Sequence, residues 1–257
     1  MLNKIVDFSK FSSIKIGPIA EVEVINEKQP LNNHFLIGGA NNLLISNNPP
    51  PLAILGKEFN YIKIEDNQLK VGAATKSGRV FSFCKKHNIG GLEYLGKLPG
   101  TMGGLLKMNA GMKSYEIFNN LISIDLENIT KEKKDIDFGY RYTDIHETIY
   151  AGTFDIKQPF NYSLVEEFSI MRANQPSNPS AGSAFKNPQG DSAGRLIDAV
   201  GLKGFKKGGA SWSKIHANFL VNLDNATFED AIFLIKEAKN RVFEEFKIEL
   251  EEEIIIL

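Results

Sequence analysis

The sequence predicts an α+β fold, and three observations predict it. Strand-like and helix-like stretches follow one another without the regular alternation of a doubly wound sheet. The run NNPPP at 47 to 51 excludes helix and forces an extended backbone, and a weaker break falls in DIKQPFNYS at 155 to 163. A long amphipathic stretch then begins at residue 227. The breaks divide the chain into segments 1–50, 51–157 and 158–257, and its 257 residues, 42% hydrophobic, are enough for two or three small cores.

Each segment has its own elements. The first reads as short strands at EVEVI, HFLIGG and NLLIS. The second has a strand at LKVGAA and a helix near 76 to 88, where Val80, Phe81 and Cys84 recur at helical spacing. A glycine-rich stretch follows at 90 to 111. In the third, Ser192 is placed to cap a helix over 192 to 200 that Gly201 stops. Thr227 and Asp230 form a capping-box pair for the longest helix, whose stripe is Ala231, Leu234, Ile235, Ala238, Val242 and Phe246.

Composition narrows the classes of function. A net charge of -1 with both signs mixed gives no general basic surface, which argues against nucleic acid or membrane partners. The single cysteine, Cys84, forms no internal disulfide and reads as a core residue. The opening MLNKIVDFSKFSS lacks an apolar secretion core, and no stretch reaches the roughly 18 apolar residues of a membrane span, so a cytoplasmic location is expected. Four scattered histidines and one cysteine make a structural zinc site improbable.

Several stretches could carry chemistry. In LIGGANNLLIS, Gly38, Gly39, Ala40, Asn41, Asn42 and Leu43 follow an apolar strand; glycine and asparagine tolerate positive φ, so their N–H groups could form an anion nest. A plain β-turn explains that stretch equally. LPGTMGG, with Pro99, Gly100, Thr101, Gly103 and Gly104, and NAG, with Asn109, Ala110 and Gly111, repeat the chemistry. Two such turns suit a diphosphate cofactor, though neither is a Rossmann or P-loop motif. FGYRYTD holds Arg141 between Tyr140 and Tyr142, suited to gripping a carboxylate or simply to stacking at the surface. The tail has six glutamates between 244 and 253, and Glu253, next to the final apolar run, is the one most apt to be drawn inside. Ser183, in GSAFKNP, follows a glycine with no histidine near it; it is no nucleophile elbow, and reads as a turn serine or a proton donor.

Taken together in order, GGANNLL, GLEYLGKLPGTMGGLLKMNAG, YR, QPSNPSAGSAFKNPQGDSAGRLIDAVGLKG, GGASWSKIHANFLVN and LEEEI resemble the UDP-N-acetylenolpyruvoylglucosamine reductases, the MurB flavoenzymes of early peptidoglycan synthesis. The resemblance runs along nearly the whole chain. It implies three domains: two form a vanillyl-alcohol-oxidase-type FAD-binding unit, and a third α+β domain binds substrate and carries a C-terminal catalytic strand. It implies FAD as cofactor and NADPH as hydride donor. The substrate it implies is a UDP-sugar enolpyruvyl ether, the product UDP-N-acetylmuramate, and no protein partner is called for.

It further implies catalytic roles for Arg141, Ser183 and Glu253. Arg141 would hold the substrate carboxylate, a protonated Glu253 would donate a hydrogen bond to it, and Ser183 would give a proton with Lys186 as nearby positive charge. Tyr140, Arg172, Gln175, Lys186, Asn187, Lys214 and His216 are implied substrate contacts. Asn41, Pro18, Thr143 and Lys247 depart from the family's usual residues, and the short span from Arg141 to Ser183 lacks the tyrosine-bearing insertion of one subclass. Rival readings are another flavin oxidoreductase on the same scaffold or a flavin-free nucleotide-sugar binding protein.

Overall fold

A computed structural model describes residues 2–31 and 33–257. They fall into two compact units interleaved along the chain. The first comprises the residues up to Lys4, Val22–Gly39 and Pro51–Ala173; the second comprises Ile5–Glu21, Ala40–Pro50 and Asn174–Leu257.

Strand pairing crosses the proline run. A proline run stops a helix but does not stop a strand that starts just after it. Leu52–Leu55 follows the run and pairs in parallel with Ile19–Ile25 (Val24↔Ile54) and with Phe35–Ile37 (Leu36↔Ala53), so the chain beyond the break returns to the first sheet. Ile25, Ala53, Phe59 and Tyr150 form a small core there. Parallel partners need long crossovers, which local sequence patterns do not reveal.

The remainder of the first unit is a five-stranded antiparallel sheet. Its order is Thr130–Glu132, Leu121–Asp125, Ala151–Asp155, Gln68–Gly72, Ile62–Glu65. The helix Ser77–Lys86 lays Val80 and Cys84 into a core with Leu69, Val71, Leu106, Phe118 and Phe154. A helix at Tyr162–Arg172, capped by the Asn161 side chain accepting from Ser163 N–H, has no counterpart in the sequence reading.

The second unit is built on an antiparallel sheet ordered Ser180–Ser183, Phe219–Asn222, Ala210–Trp212, Lys206–Lys207. Helix Ala193–Ala199 starts where Ser192 Oγ accepts from Arg195 N–H, as its sequence predicts. Helix Phe228–Phe246 has the predicted capping box, with Thr227 and Asp230 each accepting from the other's backbone. Ala231, Leu234, Ile235, Ala238 and Val242 are buried against Trp212 and Leu220, while Phe246 is half-buried. A short strand, Ile255–Ile256, runs parallel to Leu43–Leu44 and brings two distant parts of the sequence together.

No helix among the described residues is long and apolar enough to cross a membrane. Cys84 is fully buried, and burial, then the charge of Glu93, pushes its thiol up to about 12. The thiolate is the reactive form. The native protein is therefore expected to give no thiol reaction with Ellman's reagent at pH 8 until denaturant is added; rapid native labelling would contradict this packing.

Candidate active site

In the first unit the loop Pro99–Gly104 is pinned along its length to the turn Ala73–Ser77. Ser77 N–H donates to Gly100 O (2.9 Å), Met102 N–H to Thr75 O (2.9 Å) and Gly103 N–H to Ala73 O (2.9 Å). Gly38 comes up against this loop so closely that a Cβ on it would lie 2.4 Å from Thr101 Oγ1. A Cβ on Gly104 would sit 3.6 Å from the same hydroxyl. The two glycine-rich turns, some sixty residues apart, thus meet at Thr101.

The arginine hairpin is stitched to the third glycine turn. Phe138–Gly139 pairs with Tyr142–Thr143, leaving Tyr140 and Arg141 at its tip. Asn109 is fully buried; its Nδ2 donates to Gly139 O (3.0 Å) and to Glu116 Oε2 (2.8 Å), and its Oδ1 accepts from Phe118 N–H (3.3 Å). Thr143 Oγ1 donates to Lys107 O (2.8 Å), and Arg141 Nη2 donates to Gly111 O (3.2 Å). Arg141 has φ of 55°, a left-handed conformation that is costly for a side chain of its size, and its guanidinium lies 5.0 Å from the exposed Tyr140 ring centre. Asn109, read from sequence as a cofactor contact, holds this hairpin with its side chain, and its N–H donates to Leu106 O (3.2 Å). Ala110 serves the same turn, its N–H donating to Leu105 O (2.9 Å).

In the second unit three motifs converge on the backbone of Glu253. Its N–H donates to Ala184 O (2.8 Å), the residue after Ser183, and its carbonyl accepts from Asn42 Nδ2 (2.8 Å). Ile255 N–H donates to Asn42 O (3.0 Å), and Leu43 pairs with Ile255. Asn41 Nδ2 donates to Ser13 Oγ (2.6 Å). The sequence expected glycine and asparagine to take positive φ in this loop; Ala40 takes it instead, at 49°, with its carbonyl accepting from Ser13 N–H (3.1 Å). Glu253 is therefore bonded to the residue that follows Ser183, and Ser183 and Glu253 are both half-buried.

Other residues named from sequence divide more plainly. Lys186 Nζ pairs with Glu251 Oε1 at 2.5 Å, so its charge is directed to that carboxylate rather than left beside Ser183. Glu252 pairs with Lys239 at 2.7 Å. Asn187 Oδ1 accepts from Ala193 N–H (3.1 Å) at the start of a helix. Lys214 is exposed. His216 meets Phe219 edge-on, and its Nδ1 accepts from Asn218 N–H (3.3 Å). Arg172 ends a helix of the first unit, where burial lowers its pKa, and Gln175 lies in the second. The sequence reading passed over Asn218, which is buried and joined to both backbone groups of Phe185. Its only signal is an asparagine between apolar residues, where a strand would ordinarily put another apolar side chain.

A family model described as UDP-N-acetylenolpyruvoylglucosamine reductase, C-terminal domain, matches residues 175–257. The reductase of that name from Campylobacter jejuni (strain RM1221) is 48% identical over 98% of this chain and 100% of its own. That from Helicobacter hepaticus is 47% identical over the whole of both. The chain belongs to the UDP-N-acetylenolpyruvoylglucosamine reductase family. The crystal structure of the reductase (MurB) from Thermus caldophilus superposes with a TM-score of 0.87 at 29% identity, covering 100% of this chain and 99% of that one.

The glycine turns are the candidate cradle for a flavin dinucleotide. A Cβ on Gly38 would collide with the Thr101 hydroxyl, whereas one on Gly104 would make an ordinary contact with it. Gly38, Gly39, Thr101 and Gly104 would hold the cofactor's phosphates. Among the described residues no cluster of three or more histidine, cysteine, aspartate or glutamate side chains could hold a metal ion.

Two outcomes follow. Gly38→Ala is expected to weaken FAD binding at least tenfold in reconstitution of the apoprotein, with part of the loss recovered in Gly38→Ala/Thr101→Ala; unchanged affinity would sink the cradle. His216 has its pKa lowered from 6.5, by burial first and then by Lys203. The unfolded imidazole takes up its proton before the folded one, so stability is lost as pH falls below 6.5 towards the lowered value. Chemical denaturation between pH 7 and pH 5 should show a shallower loss for His216→Gln than for the parent.

Proposed function

We propose that this chain is the FAD-dependent reductase its family is named for. It converts UDP-N-acetylenolpyruvoylglucosamine to UDP-N-acetylmuramate for peptidoglycan synthesis, uses NADPH and works in the cytoplasm. The observation that carries the residue roles is the double anchoring of Glu253, by Ala184 O and by Asn42 Nδ2. It joins the serine strand, the first glycine loop and the terminal carboxylate in one hydrogen-bonded group. Two separate cores in the first unit support two flavin subdomains of the vanillyl-alcohol-oxidase type there, with substrate binding given to the second unit.

FAD, held at the glycine turns of Gly38, Gly39, Thr101 and Gly104, would supply the hydride chemistry, with NADPH as the source and one carbon of the enolpyruvyl double bond as the acceptor. The chain's own residues answer the charge this creates on the neighbouring carbon and its carboxylate. Arg141 grips the carboxylate, a two-pronged contact that strengthens as charge moves onto it. Glu253 in its protonated form donates to the same group. Ser183 gives its hydroxyl proton to the carbanionic carbon, and the alkoxide left behind regains a proton from water. Lys186, held by Glu251, favours that transfer less than its position in the sequence suggests.

The holoenzyme should be yellow. NADPH should bleach it under anaerobic conditions, and the enolpyruvyl UDP-sugar should restore the colour. Ser183→Ala should keep its FAD and its bleaching rate, but its reoxidation by substrate should slow by roughly 10² to 10⁴, the contribution of a positioned general acid. Near-normal reoxidation in stopped flow would remove Ser183 from the chemistry.

A further inference from the structure

We propose that Asn218 is the positioning residue for Ser183, an assignment that rests on the role given to Ser183 above. Ser180–Ser183 is not an uninterrupted strand. Its register with Phe219–Asn222 shifts between Ser180 and Ser183, and Gly182 has φ of 82°. A bulge of this kind bends the strand and removes ladder hydrogen bonds at the place where a side chain is re-aimed. The chain that follows needs other partners, because Ala184 and Phe185 are both buried, each 1% exposed.

Asn218 supplies them. Its backbone carbonyl accepts from Ala184 N–H (2.8 Å). Its side-chain Oδ1 accepts from Phe185 N–H (3.0 Å), and its Nδ2 donates to Phe185 O (2.8 Å). A primary amide is the one small neutral side chain that can present a donor and an acceptor together, as a peptide group does. Asn218 thus replaces the missing ladder with a copy of it. The Asn218 backbone is itself held, since its main-chain N–H donates to His216 Nδ1 (3.3 Å).

The clamp acts on both catalytic candidates. It fixes the two residues next to Ser183, and it aims Ala184 O, which accepts from Glu253 N–H (2.8 Å) and Ile254 N–H (3.2 Å). Lys186 N–H continues the shelf by donating to Glu251 O (2.8 Å). Asn218 touches neither reacting group in this scheme; it sets the distance between the serine's strand and the glutamate's tail.

The test compares half-reactions in the holoenzyme. Asn218→Ala is expected to retain FAD and to be bleached by NADPH at the parent's rate, while reoxidation by substrate slows by roughly 10²-fold, the effect of a misplacement near 1 Å. In a Ser183→Ala background the same substitution should slow reoxidation by clearly less than in the parent, because only the part that acts through Glu253 remains. Hydrogen exchange in the absence of substrate should speed up at amides 184, 185, 253 and 254 and stay unchanged in helix Phe228–Phe246. Asn218→Ser, which keeps one bond of the two, should give an intermediate loss and serves if the alanine protein is too unstable. Parental reoxidation in Asn218→Ala, an equal loss in both backgrounds, or unaltered exchange at 253 and 254 overturns the proposal. Normal reoxidation in Ser183→Ala alone overturns the reading of Ser183 beneath it, whereas loss there with none in Asn218→Ala overturns the positioning role only.

Discussion

The backbone of Glu253 is the point on which the second unit's functional geometry depends. One peptide on each side of this residue is engaged: the N–H by Ala184 O, the carbonyl by the Asn42 side chain. Neither bond is strong alone, since a buried neutral hydrogen bond contributes about 1 kcal/mol net. Their value lies in direction. A side chain on a backbone held from both sides has few ways to point, and a neighbour on the same shelf, Ser183, is fixed relative to it. The short parallel pair of Ile255–Ile256 with Leu43–Leu44 extends the anchorage and gives the tail a hydrophobic footing through Ile254, Leu43 and Leu44.

The first unit obeys a different constraint, that of close backbone approach. Gly38 is a glycine because Thr101 leaves no room for a side chain, not because its φ requires one. Asn109 organises the ground around this contact, with its three hydrogen bonds tying together the glycine turn, Glu116 and the hairpin that carries Arg141. Ala40 and Arg141, in loops proposed for function, are two of eleven described non-glycine residues in left-handed conformation. The surrounding hydrogen bonds hold these conformations in place.

What the sequence made legible was local. Helix caps at Ser192 and Thr227 satisfy amides three residues away, so a short motif contains the whole interaction. The buried stripe of the last helix and the burial of Cys84 follow from spacing in the same way. What it hid was long-range. The pairing of Lys186 with Glu251 spans 65 positions, and that of Asn42 with Glu253 spans 211. The strand after the proline run pairs with strands that precede it, a partnership no local pattern shows. Tyr162–Arg172 escaped notice because its apolar residues do not gather on one face: Phe168 is buried while Ile170 is 69% exposed. Ser183 and Glu253 were singled out by family resemblance, since an isolated serine and a row of glutamates have ordinary explanations. Asn218 needed coordinates, because a buried amide and a buried leucine occupy similar places in a strand pattern.

The late position of the terminal strand has a consequence for biosynthesis. Asn42 emerges from the ribosome long before its partner exists, and the first glycine loop must wait through the synthesis of more than two hundred further residues. A nascent chain of this protein can fold its sheets during translation, yet its serine and its glutamate cannot be aligned until residue 253 has cleared the exit tunnel. The first glycine loop therefore gains this bond only after residue 253 has been made.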